Sequence, residues 1–297
     1  MMNSYEPLST KRVPLTTEYE NGKESGNGIF TVKRIVITVL VSLLSLPLLA
    51  APASRYWAMW DKSDQMSIKT IDHQNWQDIL DRYLVVSPEG SRFRYSRVSK
   101  DDQALLRKYL NILNSTDPRL YNKKEQKAYW INLYNALTIE LILEEYPVKS
   151  ITKLGGWFSF GPWDKKITEV AGQSLTLNDI EHRILRPQWG DKRIHYAVNC
   201  ASEGCPDLAS EAYTSGNISL LLEKQARRFI QQEKGVVWID GRLVLSRIYE
   251  WYAVDFGSRE ELIRHLKQYA SPSQIRKLNK FTGIVDYQYN WNLNELK

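Results

Sequence analysis

The sequence predicts an α+β fold, a single compact domain in which helices pack on a small, mainly antiparallel sheet. Segments with apolar residues at helical spacing cluster towards the beginning and the end of the chain. Between them, apolar and polar residues alternate around tight turns, as in antiparallel hairpins. Because helices and strands are grouped and do not alternate one by one, this order favours α+β over a sheet of β–α–β units.

Helical spacing predicts seven helices. They cover residues 71–86, 100–113, 122–147, 177–186, 217–235, 258–270 and 272–280. The helix over 122–147 has the clearest boundary signals. Asn122 and Glu125 form a capping-box pair at its start, and Pro147 stops it.

Alternation and turn residues predict the strands. Residues 91–99 form a short strand, and residues 165–176 form a hairpin around an Ala-Gly-Gln turn. Residues 236–247 form a second hairpin, whose Asp-Gly pair suits a tight primed turn. The segment 193–198 is predicted to be a buried strand. Its two faces carry Ile194, Tyr196 and Val198 on one side and His195 and Ala197 on the other.

A secretory signal peptide is predicted over residues 32–53. Lys33 and Arg34 precede an apolar run, and Ala51-Pro52-Ala53 has the small-x-small pattern that signal peptidase accepts. The alternative is an inner-membrane anchor over 35–53, because about 20 apolar residues span a bilayer. The proline and the small residues favour cleavage, so the expected location is periplasmic or secreted.

The rest of the chain divides into three parts. Residues 1–31 are polar, without a hydrophobic period, and are expected to be a disordered extension or to precede the true start of translation. Residues 54–70 are an exposed lead-in, and residues 71–297 form the single globular domain.

Charge and composition narrow the classes of partner. The net charge is +6, and the basic residues are scattered through the sequence. No basic block interleaves with aromatic residues and no glycine-rich phosphate loop is present, so nucleic acid is not an expected partner. No cofactor is expected. The expected ligand is a small molecule, a peptide or an envelope component, with membrane contact only through the signal segment.

Cys200 and Cys205 are the chain's two cysteines, and four residues separate them. Two cysteines in an exported chain most often pair with each other, which favours a structural disulfide that holds a short loop. A reactive thiolate at Cys200 stays open as an alternative. Metal binding is not expected. The two cysteines lack the spacing of zinc sites, and together with His195 they supply at most three ligands, so that His182 would have to complete the set.

His195 lies five residues before Cys200 and supplies a possible general base. The catalytic hypothesis makes Cys200 the nucleophile and His195 the base, with Asn135 orienting the imidazole ring. The alternative is a core histidine satisfied by the backbone. Asn132 and Asn135 share a helix face and either bind neighbouring loops or line a pocket. The adjacent Glu181 and His182 should point about 100° apart, which favours packing or hydrogen bonding for His182.

Five blocks of the sequence resemble a known family. They are KAYWINLYNALTIELIL (127–143), LTLNDIEHRILR (175–186), RIHYAVNCASEGCP (193–206), SRIYEWYAVDFG (246–257) and YNWNLNE (289–295). In this order, between about residue 71 and residue 294, they are similar to the bacterial and plant family called domain of unknown function 547. The matching positions are Trp130, Asn132, Tyr134 and Asn135; Glu181 and His182; Arg193, His195, Cys200 and Cys205; and Tyr289, Trp291 and Asn294.

The resemblance implies a polar pocket in an apolar wall. Its expected members are Trp130, Asn132, Tyr134, Glu181, His182, Arg193, Tyr289 and Trp291. By analogy it also suggests a distant papain-like or transglutaminase-like scaffold. Asn290 departs from the aspartate usual in the family, which argues against a scheme that needs a carboxylate there.

Three functions follow from these residues. In the first, the chain is an exported binding or accessory module whose pocket is kept rigid by a Cys200–Cys205 disulfide. In the second it is a thiol-dependent hydrolase or transferase, and in the third it is a redox protein that cycles the disulfide. The first is favoured by the exported context.

Overall fold

The computed structural model describes residues 52–155 and 161–297, which belong to a single unit. The predicted extension over 1–31 lies outside the described residues, as do residues 32–51 of the predicted signal peptide and most of the alternative anchor. In the described part, no helix is both long enough and apolar enough to cross a membrane.

Nine α-helices are present among the described residues. They are α1 Gln74–Tyr83, α2 Lys100–Asn114, α3 Lys123–Glu144, α4 Arg186–Trp189, α5 Ile218–Gln231, α6 Ile248–Trp251, α7 Ala253–Phe256, α8 Arg259–Tyr269 and α9 Pro272–Asn279. A π-helical segment, Asp179–Leu185, leads into α4. The longer helices fall where the hydrophobic spacing predicts them, with ends that differ by up to four residues.

The strands form three small sheets. Two are antiparallel hairpins, β1 Leu84–Ser87 with β2 Gly90–Phe93, and β3 Thr168–Val170 with β4 Gln173–Leu175. In the third, β5 Val236–Ile239 pairs antiparallel with β6 Arg242–Ser246, and β7 Val285–Gln288 adds in parallel to β6. The predicted α+β class and mainly antiparallel pairing are confirmed.

The prediction of a strand over 193–198 is wrong, because most of these residues belong to a 3-10 helix, Lys192–Tyr196. The Asp191 carboxylate caps this helix by accepting from the backbone N–H of Arg193 at 3.0 Å. Residues 194–198 are all buried, so the alternation of the sequence does not separate a core face from a solvent face. Ile194 and Tyr196 instead pack into two different hydrophobic clusters.

These two clusters form the core. The first surrounds α3, whose residues from Glu125 to Ile139 are all buried, and includes Trp130 packed edge-on against Trp60 at a centroid distance of 5.1 Å. The second lies under α5, α8 and the β5–β6 hairpin. The 3-10 helix lies where the clusters meet, which places His195 and the following cysteines at this junction.

The start of α3 differs from its prediction in one respect. The Asn122 side chain caps the helix by accepting from the N–H groups of Lys124 and Glu125, each at 3.1 Å. Glu125 does not complete the capping box. Its buried carboxylate instead accepts from the N–H groups of Ile71 at 2.7 Å and Ser215 at 3.3 Å. It therefore joins three segments, because its side chain points into the core rather than back along the helix.

The segment 54–70, expected to be an exposed lead-in, is attached to the domain. Trp60 is fully buried, and the N–H groups of Arg55 and Trp57 donate to the carbonyls of His182 and Arg183 at 2.9 and 3.2 Å. These carbonyls belong to the π-helical segment, where the wider turn alters the usual helical pairing. Most of the other residues in the segment are exposed.

Asp207 is a buried carboxylate that joins several elements. It accepts from the N–H of Ser91 at 2.9 Å, from Gln232 at 2.8 Å and from Lys234 at 2.6 Å, and it pairs with Arg228. Burial raises the pKa of this carboxyl, but Lys234 and the hydrogen bonds outweigh burial and lower it. Asp207 therefore stabilises the fold when ionised.

We expect Asp207→Asn to lower the free energy of unfolding by about 3 kcal/mol at pH 7, because Arg228 and Lys234 lose a buried partner. The folded pKa is lowered, so this stabilisation is present above about pH 4 and is lost as the pH falls further. Urea unfolding at pH 7 and below pH 4 measures both effects. Asp286→Asn, at an exposed pair with Arg242, is the control and should cost less than about 1 kcal/mol. Equal losses in both variants would contradict the role of Asp207.

Candidate functional site

Residues 199–206 form a loop, here called the Cys loop. Hydrogen bonds from the side chain of Asn199 hold its two ends together. Asn199 donates from Nδ2 to the carbonyl of Pro206 at 2.7 Å and accepts at Oδ1 from the N–H of Ala201 at 2.8 Å. Ala201 has a left-handed backbone with φ 56°, which an alanine adopts only when its surroundings impose it. These contacts and the backbone of Ala201 define the shape of the loop.

The Cys loop pairs with residues 289–295, here called the closing segment. The N–H groups of Glu203 and Gly204 donate to the carbonyls of Asn292 and Asn290, both at 2.8 Å. The N–H of Asn294 donates back to the carbonyl of Ala201 at 3.1 Å. These backbone hydrogen bonds bring Tyr289 beside the cysteines, from 89 residues away in sequence.

The two thiols lie side by side without a bond. Their Sγ atoms are 2.8 Å apart, whereas the sulfurs of a disulfide are about 2.05 Å apart. Both cysteines are free, Cys200 half-buried and Cys205 buried. The N–H of Cys200 donates to Sγ of Cys205 at 2.9 Å. The predicted disulfide is therefore not present, although the two residues it would join are adjacent.

The surroundings shift the two thiol pKa values in opposite directions. Burial raises the pKa of Cys200, but hydrogen bonds from Cys205, Ser202 and Tyr289 outweigh burial and lower it. Burial and the neighbouring Cys200 raise the pKa of Cys205 well above its usual value. The Tyr289 hydroxyl is 3.0 Å from Cys200 Sγ, and burial and the thiol charges raise its own pKa. Tyr289 thus remains a donor while Cys200 ionises first.

His195 is oriented by Asp255, which corrects the prediction that Asn135 does so. Nε2 of His195 is 2.8 Å from Oδ2 of Asp255, and Arg186 holds the same carboxylate from Nε and Nη2 at 2.6 and 3.0 Å. Burial raises the pKa of Asp255, but these hydrogen bonds lower it further than burial raises it. Because an ionised carboxylate only accepts, Nε2 of His195 carries a hydrogen. The Tyr252 ring stacks on the imidazole at 4.2 Å.

The other ring nitrogen of His195 is buried and has no hydrogen-bond partner. It lies 4.0 Å from Oε1 of Glu181, which is too far for a hydrogen bond. The same oxygen is 3.9 Å from Nδ1 of His182. This Nδ1 accepts a hydrogen bond from Nη1 of Arg186 at 3.0 Å. Since a guanidinium only donates, His182 is neutral and carries its hydrogen on Nε2. Burial lowers its pKa, which agrees with this state.

The histidines and the thiols are neighbours but are not joined. The charge of Glu181 raises the pKa of Cys200, so the two groups are within electrostatic range. Within the described part of the chain, however, no hydrogen bond links His195 to Cys200, because the sulfur contacts Ser202, Cys205 and Tyr289 instead. The catalytic roles of His195 and Cys200 stay a prediction.

Asn132 and Asn135 bind backbone groups of neighbouring loops. Asn135 donates to the carbonyl of Ala197 at 2.9 Å and accepts from the N–H of Asn199 at 2.8 Å. Asn132 makes the same two contacts with Tyr213, at 2.7 and 3.0 Å. Both amides are buried and satisfied, so they anchor loops to α3, and the structure does not place them on a pocket wall.

Trp130, Arg193 and Tyr134, three more of the predicted pocket residues, have different surroundings. Trp130 is in the core, and Arg193 binds Asp191 through Nε and Nη2 at 3.0 and 2.9 Å, partly exposed to solvent. Tyr134 is buried on α3, where burial and the charge of Glu181 raise its pKa. Tyr134 is thus within electrostatic range of Glu181, whereas Trp130 and Arg193 have other partners, and the single pocket stays a prediction.

Tyr289 and Trp291 form an aromatic cluster with Trp251 beside the thiols. Tyr289 is 4.7 Å from Trp251 and 4.6 Å from Trp291, measured between ring centroids. Tyr289 also lines a cleft of about 370 Å³ between the β1–β2 hairpin and the Cys loop. Of the predicted pocket residues, Tyr289 is the one that lines this cleft.

The asparagine at position 290 has a structural reason. Its Nδ2 donates to Glu203 at 2.8 Å, and its Oδ1 accepts from the N–H of Asn292 at 3.0 Å. An aspartate could make the second contact but would repel the Glu203 carboxylate. The departure from the family pattern therefore belongs to the pairing between the closing segment and the Cys loop.

Three residues of the site were not found from the sequence. Asp255, Arg186 and Ser202 all lie inside the family-like blocks, yet their roles depend on partners elsewhere in the chain. The one local signal was a carboxylate among aromatic residues in Tyr-Ala-Val-Asp-Phe. Among the described residues, no group of three or more His, Cys, Asp or Glu side chains is arranged to hold a metal ion.

Gly204 lets the Cys loop approach the closing segment closely. A Cβ at this position would lie 2.7 Å from the backbone nitrogen of Asn290, so we expect Gly204→Ala to lower the free energy of unfolding by about 1–3 kcal/mol. Urea denaturation measures this loss. The control is Gly216→Ala, whose Cβ would meet only Thr214 Oγ1 at 3.8 Å and should change stability by less than about 1 kcal/mol. Similar losses in both variants would show that the close approach is not a constraint.

The comparisons with known proteins concern the centre of this architecture. No curated protein and no solved structure matches the chain, so the papain-like or transglutaminase-like scaffold stays a prediction. A family model matches residues 118–230, which include α3, the π-helical segment and the Cys loop. The blocks around Asp255 and the closing segment lie outside the matched residues. The match confirms the family resemblance over 118–230, and the chain therefore carries a domain of the family described as protein of unknown function, DUF547.

Proposed function

We propose that the domain exchanges thiols and disulfides through Cys200 and Cys205. The observation that carries this proposal is the pair of sulfurs 2.8 Å apart with pKa values shifted in opposite directions. A thiolate is the attacking species in such exchange, and a second thiol within reach completes it. Cys200, half-buried and more easily ionised, is the attacking residue, and the buried Cys205 is the resolving residue.

The exchange consumes one external disulfide in each oxidising cycle. The Cys200 thiolate attacks one sulfur of the substrate, the substrate S–S bond breaks, and one half leaves as a thiolate that takes up a proton. The Cys205 thiol then loses its proton to solvent, its sulfur attacks Sγ of Cys200, and the second half leaves as a thiolate that takes up a proton from solvent. The chain ends with a Cys200–Cys205 disulfide, two electrons having passed to the substrate. An external dithiol reverses the sequence.

A thiol-dependent hydrolase or transferase has less support. That chemistry needs a base in contact with the nucleophile. The available nitrogen of His195, Nδ1, lies 4.0 Å from Glu181, and in the described part of the chain no hydrogen bond joins it to Cys200. The donors around Cys200 are hydroxyl and thiol groups. These groups stabilise a thiolate without taking a proton from it, which suits disulfide exchange better than acyl transfer.

The predicted signal peptide supports work outside the cytoplasm, where disulfide substrates persist. In the alternative binding or accessory module, the same two cysteines form a bond that never cycles. The cleft beside the thiols is the observation that favours a binding role, and such a role is compatible with exchange. What separates the two functions is whether the bond opens and closes with a chemical partner.

Cys205→Ser should trap the exchange halfway. When the reduced wild-type chain meets the aromatic disulfide DTNB, we expect two thionitrobenzoate anions per chain and no retained adduct, because Cys205 resolves the mixed disulfide. Cys205→Ser should release one anion and retain the adduct, and Cys200→Ser should react slowly because Cys205 ionises poorly. Absorbance and intact mass measure both. A stable adduct on the wild-type chain, or a disulfide that excess dithiol cannot open, would contradict the proposal.

Tyr289→Phe should shift the reactivity of Cys200 to higher pH. The variant loses a donor that stabilises the thiolate, so the pKa of Cys200 rises and its alkylation rate at neutral pH falls. The rate of iodoacetamide alkylation against pH, in a Cys205→Ser background, measures the shift. Tyr287→Phe, on the same stretch of chain, is the matched control and should leave the profile unchanged. An unchanged profile in Tyr289→Phe would show that its hydroxyl does not tune the thiol.

A further inference from the structure

The cleft lined by Tyr289 has the size of a small-ligand site. Its volume is about 370 Å³, within the range of about 300–1,000 Å³ usual for such sites. It opens between the β1–β2 hairpin, the Cys loop, the closing segment and the turn between α5 and β5. Four separate parts of the chain therefore form its walls.

Two buried polar groups on this cleft have no partner. Asn294 and Ser91 line the cleft and are 2% and 5% exposed. The Oδ1 of Asn294 accepts from Tyr95 at 2.8 Å, but its Nδ2 makes no hydrogen bond. The N–H of Ser91 is bound by Asp207, but its Oγ is unpaired. Buried polar atoms are nearly always paired, so two unpaired donors on one cleft point to a ligand oxygen that accepts from them.

The free charge at the mouth of the cleft is negative. Lys234 is engaged by Asp207 at 2.6 Å, and Arg92 is paired with Glu203 at 3.3 Å. Glu89 and Glu233 are exposed and line the cleft, and neither forms an ion pair within the described part of the chain. A cationic group on the ligand would be attracted to these two carboxylates.

We infer that the cleft binds an amino-acid derivative or short peptide that carries a free ammonium group and a carbonyl oxygen. The carbonyl oxygen accepts from Asn294 Nδ2 and Ser91 Oγ, and the ammonium group lies towards Glu89 and Glu233. This goes beyond thiol exchange and does not depend on it. Tyr289 nevertheless connects the two, because its ring lines the cleft and its hydroxyl is 3.0 Å from Cys200 Sγ.

Ser91→Ala separates a ligand role from a structural role. The Ser91 hydroxyl has no partner, so its removal should leave the urea midpoint unchanged or slightly raised. The test is a titration of the ¹⁵N-labelled full-length chain with alanylalanine amide, with the backbone amide shifts of Gly204, Asn290 and Asn294 as readout. We expect saturable shifts at millimolar concentration in the wild type and affinity about fivefold or more weaker in Ser91→Ala, as for one lost hydrogen bond.

The ammonium requirement is tested with a second probe and a charge variant. N-acetylalanylalanine amide lacks the ammonium group and should bind at least about fivefold more weakly, and Glu233→Gln should weaken the unacetylated probe. Glu260→Gln, at an exposed carboxylate on α8, is the control and should bind like the wild type. Absence of saturable shifts in the wild type, or equal affinity for both probes, would overturn the inference. Neither result bears on DTNB trapping, which needs no occupied cleft.

Discussion

The backbone pairing between the Cys loop and the closing segment is the contact on which both the thiol pair and the cleft depend. Three hydrogen bonds, from Glu203, Gly204 and Asn294, join strands of chain far apart in sequence. They place the Tyr289 hydroxyl on Cys200 and leave its ring on the cleft. The thiol environment is thus built from two ends of the domain, and it exists only when both are in place.

Buried polar side chains hold the backbone segments that carry the thiol pair and the cleft. Asn135 holds the backbone on either side of residue 198, and Glu125 and Asp207 each join separate segments. Such groups are stable inside a core only because their hydrogen bonds are made. The exceptions are informative. Among the unpaired buried atoms of the described residues, those of His195, Ser91 and Asn294 lie at the histidines and the cleft, where a ligand or a moving proton could use them.

The pKa values of the two adjacent thiols shift in opposite directions, which indicates that Cys200 is the attacking residue in the proposed exchange. One proton is held more tightly by Cys205 than by Cys200, since hydrogen-bond donors converge on the Cys200 sulfur. The nearby histidines contribute a different feature, a carboxylate-bound imidazole with one free nitrogen. Because that nitrogen lies 4.0 Å from Glu181 and forms no hydrogen bond with the sulfur in the described part of the chain, we propose disulfide exchange rather than general-base catalysis at Cys200.

Local signals made much of the fold predictable. Helical spacing and turn residues act within a few positions, so the helices over 100–113 and 217–235 and both hairpins could be found from the sequence. The segment 193–198 could not, because full burial on every side removed the contrast between faces that defines a strand. Glu125 was assigned to the wrong partner because its actual contacts, the N–H groups of Ile71 and Ser215, are far away in sequence.

The sequence by itself determined the fold class, the family resemblance and the closeness of two cysteines within one short loop. The tertiary structure alone decided which side chains meet them. Asp255 reaches His195 across 60 residues, and Tyr289 reaches Cys200 across 89. Spacing carries no information at that range, because such pairs are chosen by how the elements pack and by the need to satisfy each buried polar group.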